Sequence, residues 1–301
     1  MAAISPPVGS RSTAHANISW TRLALYAVLI AGAFASVMPF FYMVMTSLKT
    51  YGSVINNNLW PWFPFGDEAL QFQNYPDAIQ SVGFDKEWNI PLLFRYFANT
   101  TIVTFAIVLG TVLTSILAAY ALSNIELPGK NIIFLLILAT IMIPNDLTLV
   151  PKVVMIYQLQ WYNTYAALIV PFLVSVYGIF LLRQFFLQIP HDLFDAALID
   201  GAGHLRYLFT IVVPLSKHAL VTVALLNFIA AWDNFKWPLL VTRDNNMRVL
   251  GVGLQQFMQG EGVRTELLMS FATLVVLPVV FFYFLTQKQF TEGITRTGIK
   301  G

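Results

Sequence analysis

The sequence predicts an all-α integral membrane protein with about six transmembrane helices. Three observations carry that prediction. The chain is 57% hydrophobic and 11% charged, with a mean hydropathy of +0.68, whereas a soluble domain carries about 25% charged residues. Its apolar residues gather in runs of about 20, the length that crosses a hydrocarbon layer of ~30 Å. Finally, the runs lack the strict alternation of a membrane barrel, and no internal repeat stands out. The 25 Phe, 12 Tyr and 7 Trp suit aromatic belts at a membrane surface. With no cysteine, disulfides, thiolate catalysis and cysteine metal sites are excluded. A net charge of +2 gives no ground for nucleic-acid binding.

Taken in order, residues 1–22 read as a polar tail, rich in Ser, Pro, Ala and Thr and disordered over 1–19. The first span, 23–47, is too long for a signal-peptide core and lacks a convincing cleavage site. A loop over 48–95 follows, with Trp60-Pro61-Trp62-Phe63-Pro64 read as resting at the interface. The second span is 96–122, closed by the polar turn 123–130 around Pro128-Gly129. Further spans fall at 131–150, 164–182, 219–241 and 267–287, and 288–301 form a second tail. Pro144, Pro171, Pro214 and Pro278 lie in or near these runs, and each frees a carbonyl and permits a kink.

The stretch 190–206 stands apart, because three aspartates and two histidines sit there between long apolar runs. Asp192 is placed to cap a helix, Asp195 to reach back in the manner of a capping box, and both charges suit the positive end of the dipole. Gly201 supplies the residue that most readily takes a left-handed helix-ending conformation. The expectation is a short helix over roughly 193–200, a glycine turn, and a second helix from about 204. The plain alternative is a connector lying on the bilayer surface. Against it, the helix has no Lys or Arg, and Ala196-Ala197 at its middle permits close approach of another surface.

Asp195-Ala196-Ala197-Leu198-Ile199-Asp200-Gly201-Ala202, followed by Phe209, Ile211 and Pro214-Leu215, closely resembles the "EAA" loop of the membrane subunits of binding-protein-dependent ABC importers. In that family the pattern runs Glu-Ala-Ala, three residues, then Gly, with an Ile-x-x-Pro-Leu tail. Here Asp195 stands for the Glu, one methylene shorter with the charge kept. Asn74-Tyr75, Tyr96-Phe97-Ala98-Asn99-Thr100, Ala119-Tyr120-Ala121-Leu122 and the stretch from Ala230-Ala231-Trp232 to Pro238-Leu239 are similar to segments of sugar-importer permeases. So are Pro39-Phe40 to Lys49, and the end from Phe290 to Gly301, which is similar to the tail of the maltose-permease-like branch.

The resemblance covers residues 23–301, read as one permease domain. It implies a multi-pass inner-membrane subunit in which 190–206 forms a cytoplasmic coupling helix, with Asp192, Asp195, Ala196, Ala197, Asp200 and Gly201 carrying the docking. The implied partners are a second, related permease, two copies of a cytoplasmic ATPase, and an extracytoplasmic solute-binding protein that delivers a sugar or oligosaccharide. ATP and Mg would be bound by the ATPase and no cofactor by this chain, which has no Gly-x-x-x-x-Gly-Lys-Ser/Thr loop. Both termini are placed in the cytoplasm on the same ground. Charge does not decide orientation, since that placement puts nine of the 17 Lys and Arg inside and eight outside.

No catalytic constellation is present, and His15, His191, His204 and His218 lack metal-ligand spacing. His191 and His204 read as exposed loop residues. Polar residues in or beside spans are the candidates for a sugar path, because lipid disfavours them. These are Asn227, Trp232, Asp233 and Asn234, with Lys236 nearby and Asn145 and Asp146 at the outer end of the third span. The plain readings are that Asp233 pairs with Lys236 and that Asn227 bonds a neighbouring helix. The rival functions are an ion-coupled secondary transporter or a stand-alone membrane enzyme. The first should show acids central in its spans, whereas most acids here lie in loops; the second needs a nucleophile–base or metal set.

Overall fold

The computed structural model describes residues 20–56, 69–86, 88–258 and 264–297. The stretch 1–19, the aromatic cluster 60–64, Glu261 and the last four residues lie outside them. Among the described residues every regular element is helical, and Phe84 and Pro91 make an isolated antiparallel bridge. The order is α1 (Trp20–Ser47), α2 (Tyr51–Ile55), α3 (Asn74–Ser81), α4 (Leu92–Asn124), α5 (Lys130–Ala139), α6 (Asn145–Gln158), α7 (Tyr165–Ile169) and α8 (Val176–Phe186). Then come α9 (Asp192–Ile199), α10 (His204–Tyr207), α11 (Val213–Leu215), α12 (Lys217–Trp232), α13 (Lys236–Val241), α14 (Leu250–Met258) and α15 (Thr265–Thr297).

Among the described residues four helices are long and apolar enough to cross a membrane: α1, α4, Tyr165–Phe186 and Thr265–Gln287. Counting each of two bent pairs as one span raises the number to six, in line with the six expected. The bent pairs correct two predicted spans. The run 131–150 is not one helix, because α5 and its terminal 3-10 turn meet α6 at 96°. Pro144 sets that break: Ile143 before it is extended, at φ −82 and ψ 113, as the proline ring requires of its predecessor. The run 219–241 also ends early. After Trp232 the chain turns through 233–235 before α13, so α12 has 16 residues and spans ~24 Å. At its other end, α12 meets the His204–Leu215 arm at 82°.

Smaller departures concern ends and loops. Residues 20–22, placed in the tail, already belong to α1, and α15 continues past residue 287 to Thr297. The fourth span extends to Phe186 and is interrupted by a 3-10 turn at Val170–Phe172, where Pro171 lies. The loops 48–95 and 242–266 contain α2, α3 and α14.

Helix α4 is the central post. It packs on α8 and α12, while α15 packs on α12, α1 and α3. One buried cluster gathers Ile116, Tyr120, Leu182, Phe186, Tyr207 and Val223, and another gathers Tyr96, Phe228, Trp232, Leu250 and Phe271. They sit toward opposite ends of α4, with Tyr96 and Tyr120 about 36 Å apart along its axis. The approach of α8 to α4 depends on Gly178, where a Cβ would lie 2.5 Å from Ser115 Oγ. Small residues at such crossings let backbones come close where lipid offers no hydrophobic drive.

Helix ends are closed by side chains from elsewhere in the chain, because orphan carbonyls need donors away from water. Asn74 Nδ2 donates to the carbonyls of Ser47 and Lys49, both at 2.8 Å, closing α1. At the end of α4, Arg183 Nε donates to Leu122 O at 3.2 Å and Lys130 Nζ to Ser123 O and Ile125 O at 3.3 Å. Cations there also suit the negative end of the dipole.

Candidate functional site

The arm at residues 190–216 forms as its sequence demands at the C-terminal end of α9. Gly201 has φ +76. Ala202 N–H donates to Ala197 O at 2.8 Å and Gly201 N–H to Leu198 O at 3.0 Å, the two bonds of a Schellman ending. The start differs from expectation. Asp192 is the first residue of α9 and no side chain caps the helix. His191 is already helical, so the first amides find main-chain partners: Leu193 N–H donates to Pro190 O, and Phe194 and Asp195 N–H both donate to His191 O. Asp195 reaches back to the ring of His191 at 3.4 Å rather than to a backbone amide.

The faces of α9 are sharply divided. Asp192, Asp195, Ala196, Asp200 and Gly201 are exposed. Beside them Leu198 and Ile199 stand 56% and 87% exposed, far more than an apolar side chain on a finished surface, and Leu205 follows at 65%. Ala197 does not belong to this face. It is buried in the cluster of Tyr120, Phe186 and Tyr207, because it projects toward the chain's own core while its neighbours project away.

Aromatic residues that the sequence reading did not single out hold α9 in place. Phe194 stacks on His204 with centroids 5.0 Å apart and meets Tyr207 edge-on at 5.1 Å. His204 is exposed, as expected, but it opens α10 and its Nδ1 lies 2.9 Å from the hydroxyl of Tyr120 on α4. Behind α10 the chain widens into a π-helical turn at Leu208–Val212, just before Pro214. Such turns are frequent at functional sites.

The sugar-path candidates fare unevenly. Trp232 is buried, stacks on Phe228 at 5.5 Å, and donates its indole N–H to Val275 O at 3.1 Å. Its faces and its donor are used inside the core, so it presents nothing to a sugar. Asn227 donates to Val223 O of its own helix at 2.8 Å, not to a neighbouring helix. Asp233 is exposed, and Asn234 Oδ1 accepts from Trp237 N–H at 3.4 Å. Lys236 does not pair with Asp233; its Nζ donates to Asp146 Oδ1 at 2.7 Å. That pair joins the break before α6 to the break before α13, so the polar residues of two interrupted spans come together. Among the described residues no group of three or more His, Asp or Glu is placed to hold a metal.

Asn99 is a further residue that sequence reasoning left without a role. It is 1% exposed, donates to Asn246 O and Arg248 O at 2.7 and 2.9 Å, and accepts from Tyr165 OH at 2.6 Å. Tyr96 OH donates to Asn245 Oδ1, and Thr100 Oγ1 accepts from Leu250 N–H. Residues 245–250 are thereby clamped to the start of α4. Asn99→Leu removes the partner of three part-buried groups, where a fully buried group left unpaired would cost about 1–3 kcal/mol. The expected result is a loosened 242–250 segment, seen as several-fold faster proteolysis there with the spans intact. Unchanged cleavage would remove the clamp.

Three comparisons bear on this geometry. The family profile described as "Binding-protein-dependent transport system inner membrane component" matches residues 93–296. The chain is 30% identical over 284 residues to an arabinooligosaccharides transport system permease protein of Halalkalibacterium halodurans, covering 94% of this chain and 97% of that protein. It is 32% identical over 272 residues to an sn-glycerol-3-phosphate transport system permease protein of Rhizobium meliloti, covering 90% and 94%. Among solved structures it matches a chain of a bacterial ABC transporter involved in the import of the acidic polysaccharide alginate, with a TM-score of 0.76 and 22% identity. That match covers 94% of this chain and 99% of the other, and it bears out the fold.

Proposed function

The chain belongs to the binding-protein-dependent transport system inner membrane component family, and from that premise we propose that it is one permease half of an ATP-driven sugar importer. Family membership makes it a transport subunit rather than an enzyme, and neither rival function draws support from the comparisons. The other half of the path is a second, related permease. Two copies of a cytoplasmic ATPase bind ATP and Mg, and an extracytoplasmic binding protein delivers the sugar. The similarity to an arabinooligosaccharides permease supports an oligosaccharide as substrate.

The observation that carries the coupling role is the division of α9. An apolar ridge of Leu198, Ile199 and Leu205 beside Asp192, Asp195 and Asp200 projects from an arm that is rigidly seated underneath. Such a knob fits a cleft with an apolar floor and basic rim. When ATP closes the ATPase dimer, the arm carries that closure to the spans as a rigid-body swing. The polar breaks at Asn145-Asp146 and Asp233-Asn234 supply hydroxyl-binding groups along the path, with Lys236 held by Asp146.

Both termini and 190–206 then lie in the cytoplasm and 48–95 outside. The absence of native cysteine makes single substitutions clean to interpret. Purification of this chain with the ATPase, followed by labelling of Ser10→Cys and Thr297→Cys, tests the reading. The expected result is a stoichiometric ATPase and no labelling by an impermeant maleimide in intact cells. A chain that purifies alone, or that labels from outside, would overturn it.

A further inference from the structure

We infer that Tyr120 and His204 form a strut that hands movement of the α9–α10 arm directly to α4. This rests on the coupling role proposed above and adds the route by which movement enters the spans. The arm reaches the central helix through few polar links. Of these, the Tyr120 hydroxyl to His204 Nδ1 contact, at 2.9 Å, joins the first residue of α10 to the cytoplasmic end of α4. Tyr120 is 3% exposed and sits among Ala119, Ile116, Phe186 and Tyr207, so its ring is fixed by packing and its hydroxyl cannot swing to another partner cheaply. His204 is fixed from the other side, its ring stacked on Phe194 of α9 with an interplanar angle of 23°. The sequence Phe194, His204, Tyr120 is therefore a continuous line of contact from the docking helix to the longest buried span.

Two features set this line apart from general packing. The neighbouring phenol, Tyr207, is 0% exposed and its hydroxyl has no hydrogen-bond partner among the described residues, so the same chemical group in the same cluster is tied in one case and not in the other. Behind α10, the covalent route to the spans is indirect, passing through the π-helical turn at Leu208–Val212 and the 82° bend into α12. A push on α9 that follows the chain must turn that corner and leads to α12, whereas a push through the strut meets α4 directly. Tyr120 and His204 are positioning residues on this account, because neither touches the transported solute.

Hydrogen exchange on the assembled complex, with both permeases and the ATPase in nanodiscs, tests this without knowledge of the sugar. ATP plus vanadate is the probe. In the native complex, exchange should change together in peptides covering 192–207 and 116–124. In Tyr120→Phe the change at 116–124 should shrink by about threefold or more while that at 192–207 persists, with the ATPase still bound at native stoichiometry. His204→Ala should reproduce the effect. His204→Asn should restore it, since its amide oxygen can accept the phenol proton. Tyr207→Phe, which deletes a hydroxyl with no partner among the described residues, should keep the native pattern. An undiminished change at 116–124 in Tyr120→Phe, or loss of the ATPase in step with that change, overturns the strut. Failure of the ATPase to assemble with the unsubstituted chain instead overturns the coupling reading itself.

Discussion

Gly201→Asp is expected to leave the spans inserted and to cut association with the ATPase by at least tenfold, equivalent to ~1.4 kcal/mol or more. Two effects add. Gly201 holds φ +76, where a side chain costs about 1–2 kcal/mol in the general case and somewhat less for Asp. Within this chain the position is open, with nothing inside 4 Å of an added Cβ, so α9 itself should survive. The larger effect lies outside the chain. A new carboxylate would stand on a face that already presents Asp192, Asp195 and Asp200, the face that the proposed docking brings against the ATPase. Gly201→Asn separates the two: its backbone tolerance matches that of Asp, so whatever affinity it keeps measures the charge. The measurement is co-purification of the ATPase, together with hydrolysis stimulated by ligand-loaded binding protein in liposomes. Wild-type assembly and stimulation in Gly201→Asp would reduce the arm to a connector.

Much of this architecture was legible because lipid imposes simple rules. Apolar runs of ~20 residues give six crossings, and the glycine turn at 201 follows from the sparse choice of residues that accept a positive φ. What was not legible depends on where a side chain points after folding. Ala196 and Ala197 are identical in composition and adjacent, yet one faces outward and the other inward, and no periodicity in an eight-residue helix decides which. Trp232 looked like a sugar platform because aromatic and polar residues crowd it in sequence, but its N–H is taken by Val275, 43 residues away. Lys236 found Asp146 rather than Asp233 for a similar reason, since two breaks distant in sequence meet in space. Three of the segments that resembled sugar permeases share one physical task. Asn74 closes α1, Asn99 clamps residues 246–248, and Tyr120 seats the arm, so each is a polar tie at the end of a span where packing alone leaves the chain free.

Ala197→Trp is expected to produce the same uncoupled state as Gly201→Asp by the opposite physical route. Ala197 is 4% exposed and packs in the cluster with Tyr120, Phe186, Tyr207 and Leu208, while its carbonyl accepts the Ala202 N–H that closes the helix. An indole has no room there. Overfilling a packed core costs about 1–3 kcal/mol when neighbours can shift, and Tyr207 and Leu208, both 0% exposed, have little space to do so. The cheaper response is for α9 to lift off, breaking the Phe194–His204 stack and the helix ending together. ATPase binding should then fall severely, and amides over 191–207 should lose their exchange protection, whereas in Gly201→Asp that protection should persist. Ala196→Trp is the matched control, because the side chain at 196 is exposed. It should keep α9 folded and obstruct only the docked surface. Native protection over 191–207 in Ala197→Trp would mean that α9 does not rest on the core as the structure has it.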